Sequence, residues 1–104
     1  MTGFLVSAIA EQRLDEIFVY TRDKWGDEQA ERYIQGLFAC FGRIARRELV
    51  WRAVAADFEV DGFYCRHEHH FIYWRMLPDG DVGIVTVLHE RMHQLGRFRD
   101  DYGT

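Results

Sequence analysis

The chain has 104 residues, of which 48% are hydrophobic and 15% aromatic, and its net charge is −4. A chain of this length forms one domain with one modest core, and its apolar content excludes an intrinsically disordered protein. The acidic balance argues against a protein whose main partner is a nucleic-acid backbone. Neither a signal peptide nor a run of about 18 apolar residues is evident, so we expect one cytoplasmic domain over residues 1–104.

The two cysteines, Cys40 and Cys65, stand far apart and lack the C-x-x-C spacing of a redox or zinc motif. A single possible bridge is weak support for a disulfide framework. We therefore expect two buried thiols in a reducing compartment.

The first half of the chain predicts a strand and then two helices. The apolar run Phe4–Ile9 suits a first strand buried in a sheet. From Ala10 onward the apolar side chains follow a helical period. Gly26 is expected to close this first helix in the left-handed conformation, and Asp27 to cap the second. The predicted stripe of the first helix consists of Leu14, Ile17, Phe18 and Trp25.

The second helix has the most regular pattern in the chain. Glu28 and Arg32 form a favourable i,i+4 pair on its outer face, and the short link places the two helices antiparallel, as a helical hairpin. The apolar stripe, which we interpret as core, consists of Ala30, Tyr33, Ile34, Leu37, Phe38, Phe41, Ile44 and Ala45. The arginines near its end have two alternative roles, stabilisation of the helix dipole or contact with an acidic partner, and we leave both open. These arginines are Arg43, Arg46, Arg47 and Arg52.

The second half of the chain predicts strands. Asp57–Gly62 alternates acidic and apolar residues, as an exposed edge strand does. Pro78–Gly80 is a strong turn signal, and His89–Gln94 suits a short helix. Three further strands are predicted at Phe63–His67, Phe71–Met76 and Val82–Leu88.

These elements predict an α+β fold of the order β-α-α-β-β-β-α, with an N-terminal strand and a short C-terminal helix. The helical hairpin must pack on one face of a largely antiparallel sheet. The other face is expected to stay open, and its aromatic residues to form a partner surface.

Histidines create two further motifs. His89 and His93 complete an H-E-x-x-H string, in which two histidines bind zinc and the glutamate activates water. The third histidine of the longer metzincin spacing is missing, because Arg99 occupies that position, although a histidine of His67–His70 could replace it. We favour packed or surface histidines over a zinc-dependent hydrolase. For His67–His70 itself we favour a polar turn, with a pH-sensitive surface or an adventitious metal site as alternatives.

Four segments in the correct order resemble the RelE/ParE toxin superfamily, and its ParE branch most. The resemblance spans roughly residues 5 to 93. It is carried by Leu14–Ile17 with Tyr20, by Trp25–Gly26 with Gln29, Ala30 and Tyr33, by His70–Arg75, and by Val87–Met92. The chain departs from the family pattern in two places. Arg46–Trp51 replaces the usual Pro and Gly-Arg after the second helix, and His93 stands where Asp is common.

The resemblance implies a cytoplasmic toxin of a type II toxin–antitoxin pair. ParE-like toxins inhibit DNA gyrase by protein contact and are neutralised by a ParD-like antitoxin, which binds as an extended strand and a helix. RelE-like relatives instead cleave mRNA on the ribosome, which is the alternative. The acidic charge favours the gyrase hypothesis over the ribonuclease one. Under that hypothesis we expect a protein that is not an enzyme and has no cofactor. We also expect it to contact neither a membrane nor specific nucleic-acid sequences. A toxin–antitoxin hetero-oligomer is possible.

Three sets of candidate residues follow. The gyrase contact is predicted at the hairpin tip and in the tail, at Trp25, Gly26, Arg91, Met92, Arg97 and Phe98. The antitoxin contact is predicted on the sheet and its edge, at Phe58, Phe63, Tyr64, Tyr73 and Trp74. A ribonuclease needs an acid, a base and phosphate-stabilising groups, for which the candidates are Arg66, Glu68, Arg75, His89 and Arg91.

Overall fold

A computed structural model of the chain describes residues 3–54 and 62–90. These residues form two helices and a mixed five-stranded sheet of the order β1-β5-β4-β3-β2. Strand β1 runs parallel to β5, and the other neighbours are antiparallel. The elements are β1 (Phe4–Val6), α1 (Ala8–Trp25), α2 (Asp27–Ala45), β2 (Arg52–Ala53), β3 (Phe63–His67), β4 (His70–Met76) and β5 (Val82–His89). The predicted α+β fold, with a helical layer on a largely antiparallel sheet, is confirmed.

Ser7 separates the first strand from the first helix. Its hydroxyl accepts a hydrogen bond from the amide of Ala10 at 3.0 Å, which caps α1, and donates one to the carbonyl of Val85 at 2.7 Å. The strand therefore ends at Val6, and the prediction that it reaches Ile9 is wrong. A serine cap satisfies amides at the start of a helix, so the chain turns as soon as the cap is reached.

Gly26 joins the two helices. Its amide donates to the carbonyl of Arg22 at 2.8 Å, and its own carbonyl accepts from the amide of Ala30 at 3.1 Å. Its φ of 95° is positive as predicted, but its ψ of 167° is extended and not left-handed helical. Gly26 thus ends α1 and also begins α2, and Asp27 is the first residue of α2 instead of its cap.

The helices cover one face of the sheet. The main core contains apolar residues of both helices together with Ile72 and Trp74 of β4, all of them buried. In α1 the predicted stripe is buried at Leu14 and Ile17, but Trp25 is 70% exposed. That placement was wrong because Trp25 is the last residue of α1, beyond the part of the helix that the sheet covers.

A β-bulge interrupts the alternation of strand β5, which supplies buried residues to both faces of the sheet. Tyr73 lies opposite Thr86, whereas the next residue, Trp74, lies opposite Ile84, so Val85 is the extra residue. Tyr73, Val85 and Leu88 form a second cluster away from the helices and are themselves buried. The prediction of an open second face is therefore wrong at these positions.

Other sequence predictions have mixed outcomes. Both β-turns form: Gly80 has a φ of 92° in the β4–β5 turn, and Glu68 has a φ of 52° in the β3–β4 turn. Strand β2 was missed, because two residues give no readable alternation. His89 belongs to β5 and not to a helix. Residues 91–94 of the predicted terminal helix lie outside the described residues, as does the predicted edge strand at 57–61. Within the described part of the chain, no helix has the length and apolar character needed to cross a membrane.

Candidate partner-binding site

A groove with a volume of about 680 Å³ lies between α1 and the adjoining ends of β4 and β5. Tyr20 and Trp25 of α1 line one wall, and Val87 and His89 of β5 line the other. Tyr20 is 56% exposed, and Trp25 more so. Two large aromatic side chains beside an open groove are the composition found at protein–protein contacts.

The charges of the groove are balanced and partly paired. Arg13 and Glu16 form an ion pair at 3.1 Å, and the Lys24 ammonium lies 5.0 Å from the centre of the Tyr20 ring. Glu90, on the sheet side, pairs with Arg66. A groove with this mixture of signs has no strong field for a polyanion, and its chemistry suits a protein segment.

A cluster of histidines forms the floor of the groove. His70 is buried, its Nδ1 is hydrogen-bonded to the Tyr33 hydroxyl at 2.5 Å, and its ring packs edge-on against His89 at 5.1 Å. His69 stacks on His89 at 6.4 Å. Burial, reinforced by the neighbouring histidines, lowers the pKa of His70 to about 4. Burial, with the charge of Glu68, raises the pKa of Tyr33 to about 12.

The opposite end of the helical layer carries an aromatic cluster. The ring of Trp51 packs at 4.9 Å from Phe63 and at 5.7 Å from Trp74. The guanidinium of Arg47 lies 3.9 Å from the centre of the Trp51 ring. Arg46 pairs with Glu48 at 2.6 Å, and Arg43 pairs with the same carboxylate at 4.0 Å, so three of the four arginines near the end of α2 are engaged within the chain.

The structure brings only part of the candidate ribonuclease set together: the guanidinium of Arg66 donates to the carbonyl of Glu68 at 2.8 Å. Arg66 lies opposite Phe71 on the face away from the helices and pairs with Glu90, which follows the end of β5 and also lines the groove. His89 lies on the helix side, because its ring packs against His70. Arg75 is four residues beyond Phe71 along β4, so it lies about 13 Å from Phe71, the residue opposite Arg66. Glu68 is exposed in the β3–β4 turn, and Arg91 lies outside the described residues.

The candidate antitoxin residues divide between the two faces of the sheet. Phe63 and Trp74 belong to the helix side, and Tyr64 and Tyr73 to the other. Trp74 is fully buried and Tyr73 is 1% exposed, so both support the surface from within. Phe63 and Tyr64 are half-buried near the β2 edge. Their contact with an antitoxin stays a prediction, and Phe58 lies outside the described residues.

The candidate gyrase residues in the described part, Trp25 and Gly26, do form the exposed junction of the hairpin. The others, Arg91, Met92, Arg97 and Phe98, lie outside that part, and so does His93 of the zinc string. Residues 3–54 and 62–90 contain no cluster of three groups that could hold a metal ion. Sequence reasoning missed Tyr20 as a groove residue, although its position off the Leu14–Ile17 stripe signals an exposed aromatic side chain.

Comparison with known proteins identifies the family. Residues 4–94 match the family model described as "ParE toxin of type II toxin-antitoxin system, parDE". The chain belongs to the ParE toxin family. It is therefore a toxin of a type II toxin–antitoxin system, and the resemblance read from the sequence is confirmed.

Curated ParE relatives match at similar levels over most of the chain. Toxin ParE of Escherichia coli is 33% identical over 100 residues, which is 96% of each chain. Toxin ParE1 of Mycobacterium tuberculosis is 33% identical over 91 residues, 86% of this chain and 90% of the relative.

Two solved structures share the fold of this ParE-family chain. One is the chromosomal ParDE toxin–antitoxin system from P. aeruginosa, with a TM-score of 0.70, 14% identity and coverage of 86% of this chain and 96% of that chain. The other is the toxin–antitoxin complex RelBE2 from Mycobacterium tuberculosis, with a TM-score of 0.63, 15% identity and coverage of 85% and 96%. At these identities the likeness concerns the fold alone.

Proposed function

We propose that this ParE-family toxin inhibits DNA gyrase by protein contact, without enzymatic activity, and that a ParD-like antitoxin neutralises it in the cytoplasm. One observation carries the gyrase contact: Tyr20 and Trp25 stand exposed beside the groove at the junction of the two helices. Exposed aromatic side chains next to a concave surface are the usual anchors of a protein interface.

The placement of charged side chains supports inhibition by contact over catalysis. Phosphodiester cleavage needs an acid, a base and a cation within reach of one phosphate. Arg66 and His89 lie on opposite faces of the sheet, and the guanidinium of Arg66 is already engaged by Glu90. The overall charge of −4 is also unfavourable for binding folded RNA.

The edge of the sheet supports antitoxin binding by strand addition. Strand β2 pairs only with the first two residues of β3, in the register Arg52–Tyr64 and Ala53–Phe63. In the described register no β2 residue lies opposite Cys65–His67, so that length of β3 presents backbone groups for a further strand. Phe63 and Tyr64 lie beside it.

A gyrase assay tests the proposal. Purified toxin is incubated with DNA gyrase, relaxed plasmid and ATP, and both supercoiling and cleavage of the plasmid are followed. We expect toxin-dependent loss of supercoiling with linear or nicked DNA, and its suppression by the antitoxin encoded beside the toxin. Full supercoiling and intact DNA at a large excess of toxin would exclude gyrase as the target.

A ribosome-dependent mRNA endoribonuclease is the second candidate. It is favoured by one observation, the exposed positions of Arg66 and Arg75 along the sheet face away from the helices. Translating ribosomes with a defined mRNA decide the question. Toxin-dependent cleavage that the Arg75→Ala variant loses would establish the ribonuclease, and an intact mRNA would remove it.

A further inference from the structure

Helix α2 lies along strand β3, and the distances between successive facing residues are similar on the two elements, which brings the two cysteines together. A Cβ placed on Gly36 of α2 would lie 3.4 Å from the His67 ring of β3, so helix and strand approach closely there. Cys40 lies four residues further along α2, about 6 Å on. Cys65 lies two residues back along β3, about 6.6 Å on and on the same face as His67. The two steps match, so Cys40 faces Cys65.

The next pair of facing residues along α2 and β3 shows the same alignment. Ile44 follows Cys40 by one further turn of α2, and Phe63 precedes Cys65 by two residues. Trp51 connects them: its indole Nε1 donates to the carbonyl of Ile44 at 3.2 Å, and its ring lies 4.9 Å from Phe63. The cysteine pair therefore lies between two links of α2 to β3, a direct approach at Gly36 and His67 and a link through Trp51 at Ile44 and Phe63.

The two thiols are in contact within the main core. Cys40 is buried, and Cys65 is half-buried and packs against the same cluster. Their side chains are hydrogen-bonded, and this bond lowers the pKa of Cys40, with Arg43 helping and burial opposing. The same bond, together with burial, raises the pKa of Cys65. The Cys65 thiol thus donates to the Cys40 sulfur, which is the better nucleophile of the two.

We propose that Cys40 and Cys65 are an oxidation site, at which a peroxide converts the two thiols into a disulfide that joins α2 to β3. The Cys40 thiolate attacks one peroxide oxygen, the O–O bond breaks, and hydroxide leaves to give Cys40 sulfenic acid. The Cys65 sulfur then attacks the Cys40 sulfur, and the sulfenic oxygen leaves as water. The two thiols lose two electrons and two protons, and hydrogen peroxide becomes two molecules of water.

The bridge has a physical consequence for stability. It closes a loop from α2 through β2 to β3, which restricts the unfolded chain and holds the helical layer on the sheet. We therefore expect the oxidised protein to melt at a higher temperature, by at least about 5 °C for a domain of this size. The protein has only these two cysteines, so an intramolecular bridge has one possible pairing.

Peroxide treatment of the purified full-length chain tests the proposal. We expect a monomer whose mass is lower by about 2 Da, no titratable thiol after denaturation, and a raised melting temperature that dithiothreitol reverses. The Cys65→Ala and Cys40→Ala variants are the matched controls, and neither can form the product that has lost about 2 Da.

Three results would overturn the proposal. The first is a wild-type protein that keeps both thiols at peroxide concentrations that oxidise an exposed cysteine. The second is a covalent dimer as the main product. The third is a gain of oxygen mass at one cysteine without the bridge. The first would mean that peroxide does not reach the Cys40 thiol, and the other two would mean that the two sulfurs do not reach each other in the folded protein.

Discussion

The Tyr33 hydroxyl of α2 and the His70 imidazole of β4 share a hydrogen bond of 2.5 Å at the floor of the groove. The bond joins the helical layer to the sheet beside the exposed hairpin junction. It also holds a histidine in a buried site, where a charged ring is unfavourable. Stability and pH are linked through this pair.

The protein is expected to lose stability as the pH falls from about 6.5 to about 4. The pKa of His70 is lowered to about 4 in the folded state by burial and by the charges of His89, His69 and His67, while Glu90 opposes the shift. The unfolded chain therefore binds the proton first, and the stabilisation present above pH 6.5 is lost on acidification. The loss is up to about 3 kcal/mol. Urea unfolding at several pH values measures it, and the slope should flatten in His70→Gln. An equally steep slope in that variant would assign the effect to other groups.

Tyr33→Phe should destabilise the fold by about 1 kcal/mol, because it removes the hydroxyl partner of His70 and leaves the ring in place. Chemical denaturation measures this loss. Alkaline titration of tyrosine absorbance gives a second readout, because the pKa of Tyr33 is raised to about 12 by burial and by Glu68. Tyr33 should ionise late in the wild type, and Tyr33→Phe should lose that contribution, which equals one tyrosine. If the late step keeps its full amplitude in the variant, another tyrosine is responsible.

Trp25→Ala should reduce gyrase inhibition at least about tenfold, which is the usual effect of removing an aromatic anchor. The side chain is 70% exposed, so the free energy of unfolding should change by less than about 0.5 kcal/mol. Val50→Ala is the matched control. Val50 is 77% exposed and follows the far end of α2. That end of the helix is about 28 Å from the junction. Equal inhibition by Trp25→Ala and wild type would place the gyrase contact elsewhere on the toxin.

Gly26→Ala should cost about 1–2 kcal/mol of stability, because a side chain disfavours its φ of 95°. A Cβ at this position would meet no atom within 4 Å, so the cost comes from the backbone alone. Gly3→Ala is the control, since a Cβ at Gly3 is equally free and its φ is not in the positive region. Thermal melting of both variants measures the difference. A neutral Gly26→Ala would show that the junction relaxes without strain.

Trp74→Ala should cost about 3–5 kcal/mol, because the side chain is fully buried in the main core. Trp74→Phe should be milder and should bind the antitoxin with unchanged affinity. Tyr64→Ser, at a half-buried position beside the β2 edge, should weaken that binding. Denaturation and a titration with the antitoxin measure the two effects. A Trp74→Phe toxin that folds but binds the antitoxin poorly would make the indole a contact residue.

Local patterns were enough to predict several elements of the protein. The helical hairpin follows from the apolar period of α2 and from Gly26, and the β4–β5 hairpin follows from Pro78–Gly80 between two apolar runs. The family also follows from four short segments in order. These features depend on neighbours in the chain, whose effect is visible in the sequence.

Tertiary structure alone decided which side chains meet. The bulge at Val85 shifts the alternation of β5, and the side chains of His89 and Arg66, two of the candidate catalytic residues, leave the sheet on opposite faces. Period-2 alternation makes facing sensitive to a single inserted residue, and a bulge leaves no clear signal in an apolar run. The pairing of Cys40 with Cys65 likewise depends on how α2 aligns with β3. That alignment is fixed by packing between elements distant in sequence, which the order of residues does not display.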